Sequence, residues 1–299
     1  MQGRRSSAAS LFAASVLVWS LALAPYKAMP AGAPFDPALA AKAFDQLWSE
    51  YDLTYPMFIL RPGVDWTALG ERFRPRALEA ADSGEFAAVC AEMLAHLQDL
   101  HIWVKVGDEH LPVFSRPFSI NYNTRALPAL IGEIRPAPAG LSWGVTGDRV
   151  GYIAIPHWSD NSIPASFDAI LEEMRDTRGL IVDVRANGGG SETLARLVAG
   201  RFLDRPRVYA FSQYRNGPRH EDLTARIPRE CAPRGPWRYD RPVAVLIGQR
   251  CMSSNESFID MMAQAPNATT MGDRTRGSSA NPAVIELPGA IEIGLPRWI

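Results

Sequence analysis

Lysine is almost missing from this sequence. Only three of its 31 cationic residues are lysines, Lys27, Lys42 and Lys105, so no mechanism that needs a lysine base beyond Lys105 can operate. Usage rich in arginine and alanine reflects genome composition more often than function, yet the absence still constrains the chemistry. Cysteine is also scarce. Cys90, Cys231 and Cys251 make an odd number with no C-x-x-C spacing, which indicates neither a zinc cluster nor a disulfide framework. If one bridge forms, Cys231 and Cys251 are the pair to test, since both fall in the same expected domain; Cys90 lies on an apolar helical stripe and reads as core. A charge excess is missing too: the formal net charge is -1 with both signs interspersed, so there is no electrostatic footprint for nucleic acid or an anionic membrane. Apolar material is plentiful, 47% of 299 residues, enough for a sizeable core.

The apolar run Leu11–Ala24 covers 14 positions, short of the roughly 20 that span a bilayer. Preceded by Arg4 and Arg5 and followed by PYKAMPAGAP, it reads as a secretory signal over residues 1–33. The residues after the arginine pair lack twin-arginine character and no cysteine follows to take a lipid. The expectation is a periplasmic or secreted protein with no stable membrane anchor once the signal is removed.

Residues 34–110 read as a helical subdomain. Phe44, Leu47, Trp48 and Tyr51 share one face, and so do Phe86, Val89, Cys90, Met93, Leu94 and Leu97. Asp65 suits an N-cap for a helix from Trp66 that Pro75 interrupts. Residues 111–148 are a proline-rich connector of edge strands and loops. From residue 149 to 299 strands and helices alternate: VGYIAI, a helix with Phe167 and Leu171, GLIVDV, a helix with Leu194 and Val198, PVAVLI, a helix from about Ser253, and ATTMG. Repeated strand-helix units with apolar strands predict an α/β fold with a largely covered sheet.

Two strand ends carry the chemistry. IVDVRANGGGS, Ile181–Ser191, runs from an apolar strand into Gly188, Gly189 and Gly190 ahead of a helix. Glycines there expose backbone N–H groups beside a helix N-terminus, the design of an oxyanion hole, or else merely close a tight turn. No G-x-G-x-x-G or G-K-[ST] supports a nucleotide site. VAVLIGQRCMSSNE, Val243–Glu256, places Ser253 or Ser254 at the opening of the next helix. Alone, Ser253 with Glu256 reads as a capping box; beside the glycine turn, the same serine is a candidate nucleophile. Its base would be a histidine. His101, at the end of the helical part, and His157, after the strand YIAI, both sit at element ends, and spacing does not separate them.

In order, LQDLHIWV, GYIAI, GLIVDVRANGGG, VLIGQRCMSSNES and GDRTRGSS resemble the tail-specific proteases, or C-terminal processing peptidases, and within them the tricorn-like branch. The resemblance spans nearly all of the chain after the signal. It implies a crotonase-like core of β-β-α units and a serine endopeptidase site without cofactor or metal, acting on peptides or unfolded proteins. Ser253 falls on the family nucleophile, and Gly189, Gly190 and Ser254 on its oxyanion donors. The lysine base of the common branch falls at Gly277-Ser278-Ser279, where there is no lysine. The tricorn-like branch uses a histidine in an S-H-T-like motif, which matches Leu100-His101-Ile102 and makes His101 the expected base, with Leu100 in place of the branch's serine. The branch's distal glutamate has no clear counterpart before Ile299, so a C-terminal truncation is expected, and Glu286 and Glu292 are the candidates present. The 111–148 connector is too short for the peptide-binding PDZ module found in many members. Leu100 and the altered serine string also admit a member without peptidase activity that binds a peptide or an apolar ligand in the same cleft. An acyl-thioester enzyme of crotonase type shares the oxyanion design, but export would remove it from its usual substrates.

Overall fold

A computed structural model describes residues 35–278 and 280–299; the expected signal over residues 1–33 lies outside them. Among the described residues no helix is long and apolar enough to cross a membrane. Capped amphipathic runs make the N-terminal helices. α1 (Pro37–Thr54) opens on Asp36, whose carboxylate accepts the Ala38 and Leu39 amides, and buries Phe44, Leu47 and Tyr51. α2 (Trp66–Leu78) is capped by Asp65 but does not stop at Pro75, as the sequence led us to expect. The proline sits in the last turn. Its missing N–H would have served the carbonyl of Glu71, an exposed residue that water can satisfy, and Glu79 N–H still reaches the Pro75 carbonyl at 3.2 Å. α3 (Ser83–Ala95) is capped by Asp82 and buries Phe86, Cys90, Met93 and Leu94.

Two short strands follow, β1 (Val104–Val106) and β2 (Glu109–Leu111). The proline-rich stretch then forms α4 (Leu127–Ile131), β3 (Arg135–Pro136) and β4 (Ser142–Val145). The alternating region gives β5 (Val150–Ala154), α5 (Ile163–Glu173), β6 (Gly179–Asp183), α6 (Glu192–Ala199), β7 (Arg207–Ser212), β8 (Ile227–Cys231), β9 (Val243–Ile247), α7 (Ser254–Ala263) and β10 (Ala268–Gly272). The chain closes with β11 (Pro282–Leu287) and β12 (Ile291–Pro296).

The main sheet has six strands in the order β10-β9-β6-β5-β4-β3. β5, β6, β9 and β10 run parallel, and β4 and β3 add an antiparallel edge. The result is a mixed α/β fold in which Ile153, Val182 and Val245 pack with Phe167, Val198 and Phe258 of the helices. A second, four-stranded sheet, β11-β12-β1-β2, joins the two ends of the described chain: Val104 pairs with Ile293 and Lys105 with Glu292. The Tyr51 hydroxyl donates to the Gly294 carbonyl at 2.8 Å, tying α1 to the same sheet.

Cys231 and Cys251 do not pair. All three cysteines are free and buried. Cys231 Sγ meets the Arg196 carbonyl at 3.5 Å, whereas Cys251 Sγ meets that of Val184 at 3.2 Å, so the two thiols secure different parts of the core. Burial pushes both up to about 11 and raises Cys90 as well. A thiol reagent at neutral pH is therefore expected to leave the folded chain untouched and to titrate three thiols after denaturation. A count below three would point to a bridge.

Candidate active site

β5, β6 and β9 are neighbours and parallel, so the loops that follow them meet on one side of the sheet. Asp183 closes β6 and is buried, held bidentately by Arg185 (2.9 and 2.7 Å) and by the Tyr152 hydroxyl at 2.8 Å. Arg185 also donates to the Asn121 carbonyl at 2.7 Å. These charged residues of the glycine block thus brace the loop.

Gly189 and Gly190 adopt φ of +115° and +134°, which side-chain-bearing residues rarely take. Space excludes a side chain independently. A Cβ on Gly189 would lie 2.8 Å from Ser253 Cβ, and one on Gly190 would strike the Trp158 carbonyl. The glycine turn is stitched to the loop after β5: Trp158 N–H donates to Gly189 O at 2.9 Å and Ser191 N–H to Trp158 O at 2.6 Å. Asn255, fully buried, joins the third loop, with Nδ2 donating to the carbonyls of Val184 (3.2 Å) and Asn187 (3.1 Å) and Oδ1 accepting Trp158 Nε1–H (3.1 Å).

Ser253 stands between β9 and α7 with φ +60° and ψ -135°, a conformation that costs a non-glycine residue about 1 to 3 kcal/mol. Strain of this kind at a sharp strand-to-helix turn presents a side chain outward. Ser253 and Glu256 form a capping box, with the Ser253 side chain facing the Glu256 N–H, although that N–H goes chiefly to the Ser253 carbonyl at 2.8 Å; the hydroxyl has no other partner among the described residues. The Ser254 hydroxyl donates to Gly190 O at 2.8 Å, fastening the helix start to the glycine turn. Of the amides expected as oxyanion donors, that of Gly189 is turned inward onto Asn187 Oδ1 (2.8 Å). Those of Gly190 and Ser254 find no acceptor among the described residues.

His101 is buried. Its Nδ1 lies 2.6 Å from Ser278 Oγ, while its Nε2 has no partner among the described residues. Burial lowers its pKa from the ordinary imidazole value, opposed by the charge of Asp99, whose Oδ1 accepts the His101 N–H at 2.9 Å. No direct hydrogen bond joins His101 to Ser253. The link is Ser278: its hydroxyl meets His101 and its carbonyl accepts Ser253 N–H at 2.8 Å. Glu256 holds this arrangement together, taking Gly277 N–H (2.8 Å) and Ser278 N–H (2.9 Å), the Thr275 hydroxyl (2.5 Å), and Ser253 N–H (3.2 Å). Replacing it with alanine leaves several donors unsatisfied, so Glu256→Ala is expected to cost about 3 kcal/mol in urea unfolding. A loss under about 0.5 kcal/mol would show that the loop stands without it.

His157 lies elsewhere. It is half-buried, packs beside Gly140 and accepts Ser159 N–H on Nδ1 at 3.2 Å. Neither acid named from the sequence reaches His101. Glu286 and Glu292 are cross-strand partners in the second sheet, and Glu292 is paired with Lys105 at 3.5 Å. Three contributors were missed or underread. Glu256 was visible as a capping residue, though not as the organiser of the loop to Ser278, and Ser278 only as the place where a lysine is lacking. Asn187 carried no signal that would separate it from an ordinary turn asparagine.

Two family models match: the Tricorn protease C1 domain over residues 37–95, and Peptidase family S41 over residues 149–297, which includes every strand-end loop described above. The chain belongs to peptidase family S41. Carboxy-terminal processing protease CtpB of Bacillus subtilis is 23% identical over 158 residues, 52% of this chain and 31% of CtpB, so the match spans about a third of that relative's length. Among solved structures, a candidate peptidase from Parabacteroides merdae superposes with a TM-score of 0.75 at 26% identity, covering 88% of this chain and 83% of that one. Mature CPAF (TM-score 0.63, 13% identity, 88% and 89% covered) and the photosystem II D1 C-terminal processing protease (0.53, 14%, 87% and 87%) share the fold.

Proposed function

We propose that this chain is an exported serine peptidase with a crotonase-like core, in which Ser253 attacks the carbonyl of a peptide or unfolded protein and His101 is its base. The observation that carries the reading is the Ser253 hydroxyl on a strained turn, beside a glycine turn and two amides without an acceptor among the described residues. With Nδ1–H donated to Ser278 Oγ, the lone pair on His101 Nε2 is available to take the Ser253 proton and later to give it to the leaving amine. The N–H groups of Gly190 and Ser254 then stabilise the oxyanion, and water releases the acyl group from Ser253.

The buried environment supports this role, because it keeps the imidazole neutral and so able to accept a proton near neutral pH. Ser278 takes the orienting place that an acid holds in a Ser-His-acid triad, as a positioning residue that fixes the tautomer. Contacts between nucleophile and base are often longer before substrate binds, so the lack of a direct bond is compatible with the assignment. Membership of family S41 supports peptide-bond hydrolysis, and the names of CtpB and the D1 protease support action at protein C-termini. A fluorophosphonate probe tests it: the chain is expected to be labelled, and the Ser253→Ala variant not.

A further inference from the structure

Ser253 opens into a cleft of about 450 Å3 that also takes in Gly190, Ser254, Arg196, Arg229 and Trp298. Its charges do not balance. Among the described residues Glu192, at the start of α6, is the one acid lining it, and both guanidiniums share that carboxylate. Arg196 Nη2 reaches Oε1 at 3.2 Å, and Arg229 Nη2 reaches Oε2. The same carboxylate also accepts the Tyr209 hydroxyl on Oε1 and the Ser257 hydroxyl on Oε2 at 3.4 Å, so it is saturated. Asp260, whose charge also reaches Arg229, lines a neighbouring cleft. Neither Nε nor Nη1 of either arginine has a partner among the described residues. Arg229 lies over the Trp298 ring at 4.4 Å, which fixes the plane of its fork, while Arg196 is exposed to the cleft.

Resting on the peptidase reading of Ser253, we propose that this cleft is a substrate subsite for a carboxylate, held by Arg196 and Arg229. The one acid that lines the cleft is saturated, so the two guanidiniums keep unspent forked donors toward it, and a carboxylate is the group whose geometry they match. The carboxylate comes either from an acidic side chain next to the scissile bond or from a free peptide C-terminus; both present the same pair of oxygens. An apolar or basic residue in the same place would leave the donors unpaired or add like charge.

Binding to the Ser253→Ala protein separates this inference from catalysis. The probes are fluorescent decapeptides on one neutral background: a Gln-containing parent with an amidated C-terminus, versions with Glu moved through each position, and a version with a free C-terminal carboxylate. At least one carboxylate peptide is expected to bind about tenfold tighter than the parent. Which group gains identifies the source of the carboxylate. The gain should fall at least about threefold in Ser253→Ala/Arg196→Gln, a change at an exposed side chain that leaves the half-buried Arg229 in place. No gain for any carboxylate peptide, or a gain unchanged by Arg196→Gln, overturns the subsite. Hydrolysis of the same peptides by the unmutated chain is read separately: preference without cleavage would count against the peptidase reading alone.

Discussion

The Ser253→Ala variant is expected to lose peptide hydrolysis by a factor of about 1,000 or more while keeping its fold, the outcome when a nucleophile is removed and the surrounding donors stay. Stability should hold or rise slightly. Ser253 has its backbone at φ +60° and ψ -135°, a strain that alanine keeps, and the Glu256 N–H that its side chain faces retains the Ser253 carbonyl at 2.8 Å, so alanine forfeits little. Ser253→Gly extends the test, because glycine relieves the strain and is expected to stabilise the chain by about 1 kcal/mol while being equally inactive. Stability read by urea denaturation and activity read on an unfolded protein substrate then move in opposite directions. That combination is hard to obtain from a serine whose task is structural. If Ser253→Ala keeps more than about a tenth of the activity, the nucleophile is another residue.

His101→Ala is expected to lower kcat/KM by about 100-fold or more, and His157→Ala to leave it within about threefold. The structure gives the two histidines different surroundings. His101 is buried with Nδ1 on Ser278 and Nε2 unengaged, whereas His157 is engaged with the Ser159 amide beside Gly140. The pH dependence has a definite sign. A base must be neutral to act, and burial lowers the His101 pKa below its ordinary 6.5, so the acidic limb of kcat/KM should fall below pH 6.5. Asp99 opposes that shift, and Asp99→Asn should move the limb further toward acid. The linkage to stability runs the same way. A histidine whose pKa is depressed on folding contributes stability that is present above the unfolded value and lost as pH falls through the folded one. Inactivity of His157→Ala with activity in His101→Ala would reverse the assignment.

Much of this was legible in the sequence because local pattern and tertiary role agree. β5, β6 and β9 are short apolar runs bounded by polar or glycine-rich turns, and the glycines of the site are required by φ and by space at once. What sequence could not give is what long-range contacts decide. Ser278 reaches His101 across 177 positions, and the Asn255 bonds to the glycine loop span 68 and 71, so no window of sequence contains either. The pairing of β1 with β12 is of the same kind: it places Glu292 on Lys105 and so removes it from consideration as the acid partner. Pro75 was misread for a local reason, since a proline near a helix end disturbs only an exposed carbonyl. The scarcity of lysine keeps its significance. Where the resemblance implies a lysine in the common branch stands Ser278, and its hydroxyl meets His101.

The most direct measurement is the site of a fluorophosphonate adduct, located by tandem mass spectrometry on the labelled chain. A single adduct on the Ser253 hydroxyl, formed by the native chain and strongly reduced in His101→Ala, is the expected result. Hydrolysis of peptides with the adduct on a different serine, or with no adduct at all, would contradict it.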